Sequence, residues 1–134
     1  MRRLTGHIVA PLTQWLTAAG IGLTAVVFNA QAQIPPQATQ EINSLLDFVE
    51  HSECRFVRNG SEYGGPQARA HLEKKLEYLE EQDRVNSAED FIELAATQSS
   101  MSGRAYEVRC PAGIQPANLW LKTELQRQRQ RQRH

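Results

Sequence analysis

From residue 39 onward, apolar side chains recur at helical spacing in four stretches and at strand spacing in two. Between Thr39 and His51, Ile42, Leu45, Leu46 and Val49 share one face of a helix, with Thr39 as its expected cap. Ala68, Leu72, Leu76 and Leu79 stripe a longer second helix, which opens at Pro66, where the first turn tolerates proline. Its solvated face carries Glu73, Lys74, Glu77, Glu80 and Glu81. Ser87-Ala88-Glu89-Asp90 has the form of a capping box and predicts a third helix that turns Ala88, Phe91, Ile92 and Ala95 inward. A fourth runs from about Ala117 to Gln126, with Leu121, Leu125 and either Leu119 or Trp120 inward. The strand-like runs are Cys54 to Arg58, stopped at Asn59-Gly60, and Ala105 to Cys110.

These two runs hold both cysteines of the chain, and an antiparallel pairing that sets Cys54 against Cys110 also sets Phe56 against Val108 and Arg58 against Tyr106. The apolar pair then shares a face with the disulfide. The opposite face carries Val57 beside Glu107 and the like-charged Arg55 beside Arg109, a face suited to solvent or a bound anion. Two strands alone are marginal in water, so helices must cover the apolar face. The expected fold is a single α+β domain over residues 39–126, about four helices packed on a two-stranded antiparallel pair closed by one disulfide. Pro111 to Pro116 is expected to turn the chain into the last helix.

The ends change the picture of charge and compartment. Residues 1–32 have the form of a signal peptide, with Met1-Arg2-Arg3, an apolar segment from Trp15 to Phe28, and Ala30-Gln31-Ala32 as the cleavage site. The apolar segment is short of the roughly 20 residues of a spanning helix, so no transmembrane anchor is expected after cleavage behind Ala32. A periplasmic or secreted location follows, and a small exported chain with two cysteines is expected to form one disulfide. Residues 33–38 form a Pro-rich arm and residues 127–134 an Arg/Gln tail without apolar side chains, expected to be disordered or a solvated helix extension. The fifteen basic groups balance fifteen acidic ones, but two arginines sit in the leader and four in the tail, leaving nine against fifteen in the body. An acidic, exported body argues against nucleic-acid binding.

The order Cys-x-Phe-x-Arg-Asn-Gly-Ser-x-Tyr from Cys54, Ala70-His71-Leu72-x-x-Lys75, Ala88-Glu89-Asp90-Phe91-Ile92 and Ser99-Ser100-x-Ser102-Gly103-x-x-Tyr106 resembles the YfeK-like family of small exported bacterial proteins. The resemblance covers roughly Gln40 to Leu125, leaves out the tail, and implies a periplasmic setting. That family's domain has no assigned function, so no catalytic residue is carried over.

Candidate chemistry centres on one polar set. His71 and Lys75 lie a helical turn apart and are placed to converge with Asn59, Tyr63, Ser99, Ser100, Ser102 and Tyr106 on a small pocket for an anionic or sugar-like group. The bland account has His71 bonded to a backbone carbonyl, the Lys75 stem covering apolar neighbours, and the serines stopping a helix. A hydrolase would use Ser100 or Ser102 with His71 or Lys75, but neither a nucleophile elbow nor an SxxK spacing is present. The leading expectation is a non-enzymatic binding or accessory domain for an envelope component or protein partner, with a structural envelope protein as the other alternative. Arg127, Arg129, Arg131 and Arg133 offer weak contact with an anionic surface. A metal is not expected, since His51 and Cys54 have no second ligand cluster, and no cofactor is implied.

Overall fold

The computed structural model describes residues 6, 19–26 and 33–134. The chain runs α1 (Pro36–His51), β1 (Arg55–Arg58), β2 (Ser61–Tyr63), α2 (Gly65–Glu81), α3 (Ala88–Ala95), β3 (Glu107–Cys110), β4 (Gly113–Pro116) and α4 (Ala117–Gln132). The charged start and cleavage site of the expected leader lie outside the described residues. Residues 19–26 have no regular secondary structure, and Ile21, Leu23 and Val26 are exposed. Among the described residues no helix is long and apolar enough to cross a membrane.

The expected strand pair is the centre of a four-stranded antiparallel sheet ordered β2-β1-β3-β4. Each flanking strand comes from a tight hairpin. Asn59 (φ 50°) and Gly60 (φ 81°) supply the two positive φ angles of a two-residue hairpin loop, so Arg58 pairs with Ser61 and the chain returns as β2. Pro111 and Ala112, neither with positive φ, turn the chain back as β4, where a turn without a strand was expected. The central register is as the cysteines imply, with Phe56 opposite Val108, Arg55 opposite Arg109 and Val57 opposite Glu107. Arg58 does not pair with Tyr106, whose backbone N–H instead bonds Thr97 O at 3.0 Å.

The added strand resolves a conflict that two strands would have left open. Arg55 and Arg109 face each other, a destabilising pairing, and Glu62 of β2 answers both, 2.6 Å from Arg109 and 3.9 Å from Arg55.

The four helices are as expected in number, with one correction at the first of them. Helix α1 starts at Pro36, not near Thr39, because a first-turn residue has no intrahelical use for its N–H. The Thr39 N–H bonds Pro35 O at 3.0 Å, and Ile34 packs on the core, so the 33–38 arm is largely part of the domain. Of the two forms expected for the tail, the helix extension is the one present, with α4 continuing to Gln132. Ser87 caps α3 as expected, its Oγ accepting from Asp90 N at 3.0 Å, while the Asp90 carboxylate reaches back one residue beyond the cap and accepts from Asn86 N at 2.9 Å.

The core lies between the helices and one face of the sheet, joining Ile42, Leu45, Phe91, Ile92, Val108, Leu121 and the Cys54–Cys110 disulfide. Trp120, rather than Leu119, turns inward. Helix α2 begins against the end of α1: a side chain at Gly65 would meet Val49 O at 2.6 Å and Glu50 O nearer still.

Candidate functional site

The end of β1, the middle of α2 and the residue before β3 meet over a hydrogen-bonded group of four side chains. Arg58 NH1 lies 3.3 Å from His71 Nδ1, His71 Nε2 lies 3.1 Å from Tyr106 Oη, and Lys75 Nζ donates to Tyr106 Oη at 3.3 Å and to Gln98 O at 2.9 Å. A guanidinium has no acceptor, so His71 Nδ1 must accept from Arg58 and the ring proton sits on Nε2. His71 therefore donates to Tyr106. The tyrosine oxygen accepts from both His71 and Lys75, which leaves its own O–H proton without a protein acceptor among the described hydrogen bonds. The Lys75 ammonium also stands 5.0 Å from the Tyr106 ring centroid, a cation–π distance.

Burial and like charge set the protonation states. Burial, then the charges of Arg58, Lys75 and Lys74, hold His71 below its ordinary pKa and favour the neutral ring that the tautomer requires. Burial and Arg58 lower Lys75. Burial raises the Tyr106 hydroxyl against the opposing charge of Arg58, so it stays protonated near neutral pH.

Beside this group the serine loop is tied down separately. Asn59 Nδ2 donates to Ser99 Oγ at 3.2 Å, Ser102 Oγ donates to Asn59 Oδ1 at 2.5 Å, and the Arg104 N–H donates to Ser102 Oγ at 3.2 Å. The backbone of Ser99 and Gly103 closes the turn, with Gly103 at φ 71°. Asn59 thus has two uses: its backbone makes the hairpin and its amide fastens the loop.

A cavity of about 330 Å³ opens between α2, the sheet and α4. Its apolar wall includes Phe56, Ala68, Leu72, Trp120 and Leu121, and Arg58, Tyr63, Gln67, His71, Lys74, Tyr106 and Glu107 supply its polar part. Trp120 is fixed as the floor by Phe48 and Phe56, whose ring centroids lie 4.5 and 5.5 Å away.

The eight residues singled out from sequence therefore divide. Tyr63, His71 and Tyr106 line the cavity, and Lys75 supports it from behind through Tyr106. Asn59, Ser99 and Ser102 form the neighbouring loop lock, and Ser100 is exposed. No hydrogen bond links Ser100 or Ser102 to His71 or Lys75 among the described residues, so the nucleophile–base pair of the hydrolase alternative is not assembled. Arg58, Lys74, Gln67, Phe56 and Trp120 were missed. Arg58 had a signal: strand alternation puts it on the face of Phe56, an unusual place for a cation without a partner.

The tail also differs from expectation. Arg129 binds the buried Glu41 carboxylate through Nε (2.5 Å) and NH2 (3.1 Å), and its NH1 reaches Glu89 at 2.5 Å. Arg127 and Arg131 lie 2.9 and 3.3 Å from the buried Glu124. Three of the four arginines named for an anionic surface are thus engaged by carboxylates of the domain itself, and only Arg133 has no ion pair among the described residues. A tail without apolar residues packs after all, because Arg129 meets a glutamate buried on α1, while Arg127 and Arg131 pair with a buried glutamate of their own helix.

The fold and site define a disulfide-linked α+β domain with a small, cation-rimmed apolar cavity. The sequence pattern described as a family of unknown function (DUF5329) matches residues 36–129, and the chain belongs to this YfeK-like family. The match runs from the proline that opens α1 to Arg129, so the first arginines of the tail fall inside it. The uncharacterized protein YfeK of Salmonella typhimurium is 32% identical over 78 residues, 58% of this chain and 63% of that protein's length. No solved structure matches.

Proposed function

We propose that the protein is a small-molecule-binding domain of the bacterial envelope, acting without catalysis on what it binds. The observation that carries this reading is the cavity: a recess of about 330 Å³ with an aromatic floor and a few converging polar groups is at the small end of ordinary ligand sites. The polar groups at its edge bond one another and leave no paired nucleophile and base. The signal-peptide pattern of residues 1–32, with cleavage behind Ala32, and the Cys54–Cys110 disulfide support an oxidising location such as the periplasm.

Native mass spectrometry of the protein isolated gently from its producing cells tests the reading. Ala70 is exposed and lines the cavity, so Ala70→Trp fills the opening without entering the core. The expected result is a bound species of small mass on the parent protein that is lost from Ala70→Trp, with both melting alike. An identical bound species on both proteins, or none on either under conditions that retain weak ligands, would falsify the proposal. N-terminal sequencing of the exported form is expected to begin at Gln33.

A further inference from the structure

Resting on the binding-domain reading, we infer that the cavity takes a free, singly charged acid on an apolar body of about ten non-hydrogen atoms, with Arg58 and the Tyr106 hydroxyl on the anion and Phe56, Leu72 and Trp120 on the body.

The distribution of charge comes first. Arg55, Arg69, Arg109, Lys122, Arg127, Arg129 and Arg131 each lie within 4.0 Å of a carboxylate. Arg58, Lys74 and Lys75 do not, among the described residues, although the body of the chain has fifteen acidic groups for nine basic ones; the other cations without an ion pair there, Arg84, Arg104 and Arg133, are exposed and away from the cavity. Arg58, Lys74 and Lys75 cluster around one part of the cavity, where Arg58 and Lys74 line it and Lys75 holds Tyr106. Acidic partners are abundant in the chain, yet these cations are left without one. Glu107 touches the lining, but its register opposite Val57 and Pro116 turns it to the outer sheet face, 4.0 Å from Arg109.

The second observation is the unspent proton. Tyr106 is 7% exposed, and both bonds made by its oxygen are accepted ones, from His71 and Lys75. A buried hydroxyl donor requires an acceptor, and an anion held beside Arg58 supplies it. His71 is then a positioning residue. By accepting from Arg58 and donating to Tyr106 it fixes the guanidinium and the hydroxyl relative to each other.

The remaining wall decides against a sugar, whose hydroxyls would face Phe56, Ala68, Leu72 and Leu121 without partners. Size limits the body. At roughly 30 Å³ for each water-sized unit the cavity holds about eleven, enough for one short chain and too few for a two-chain lipid.

Isothermal titration of the purified protein at neutral pH with octanoate, octanol and octylammonium tests the inference. Octanoate is expected to bind about tenfold or more tightly than octanol, as a charge-assisted pair implies, and octylammonium least. Arg58→Gln should weaken octanoate by about tenfold, as loss of a charge-assisted pair implies, while octanol, which carries no charge, changes far less and reports whether the cavity is intact. Tyr106→Phe should weaken octanoate more than octanol, since a hydrogen bond to a charged acceptor is the stronger of the two. Equal affinity for octanoate and octanol, or octanoate binding indifferent to Arg58→Gln, overturns the acid-binding inference while leaving a binding cavity. Absence of binding by all three, with Ala70→Trp also without effect on the native species, overturns both.

Discussion

Replacing Arg129 with Gln removes a guanidinium that holds three helices together. Glu41 of α1 is 5% exposed and receives two of its N–H groups, while Glu89 of α3 receives a third. Without Arg129 the Glu41 carboxylate is left buried with no cation. Breaking a buried ion pair from one side costs about 3–5 kcal/mol. Because the arginine is partly exposed, at 29%, the low end applies, about 3 kcal/mol. For a domain of roughly 100 residues this is a fall in Tm of about 12–24 °C. The Glu89 arm is half exposed and contributes below about 1 kcal/mol. Arg133→Gln, with no carboxylate partner among the described residues, is the matched control and should leave Tm unchanged. The measurement is a pair of thermal melts followed by circular dichroism, with urea titrations for the free energies. The ion pair to Arg129 lowers the Glu89 pKa, so that arm stabilises fully above the unfolded value of 4.5 and is lost as pH falls through the lower folded value. The difference between parent and Arg129→Gln should therefore narrow in acid below pH 4.5. Equal melts for Arg129→Gln and Arg133→Gln at neutral pH would refute the reasoning and return the tail to solvent.

Three further outcomes follow from the same structure. Gly65→Ala should lose about 1–3 kcal/mol because its methyl meets backbone carbonyls of α1, whereas helix propensity alone predicts a gain of up to about 1 kcal/mol; a stabilised variant in urea titration sinks the close-approach argument. Cys54→Ser with Cys110→Ser opens a link between residues 56 apart, for an expected loss of about 4 kcal/mol, and an unchanged midpoint under oxidising conditions counts against it. His71 has a folded pKa below 6.5, so its contribution is fully present above 6.5 and lost as pH falls through the folded value; melts from pH 7 to pH 5 should decline more for the parent than for His71→Gln, and parallel curves contradict the neutral-ring assignment.

The elements readable from sequence were those whose cause is local. Helical spacing placed the inward faces of α1 and α3, Ser87 and Asp90 marked a cap, and the cystine with its alternating neighbours set the register of β1 against β3. Asn59-Gly60 was legible as a turn but carried more information than a stop, since two successive positive φ angles require the chain to return as a strand. The site was half legible. His71, Tyr106 and Lys75 were recognisable as polar side chains brought together by helical and strand spacing, yet Arg58 and Trp120 gain their roles only from what stands opposite them.

By itself the sequence determined the α+β class, the four helices, the central strand pair and its disulfide, because each depends on spacing within a short segment or on the only two cysteines available. Tertiary structure alone decided three things. Glu62 came to lie between Arg55 and Arg109, Arg129 found Glu41 and Glu89, and Phe56, Leu72 and Trp120 enclosed a cavity beside cations without carboxylates. Each depends on side chains from different elements meeting in space, and the energy of a charge or an apolar ring is set by those neighbours and by the water they exclude. An arginine that reads as solvated along the chain becomes a half-buried clasp once a buried glutamate 88 positions earlier is folded against it.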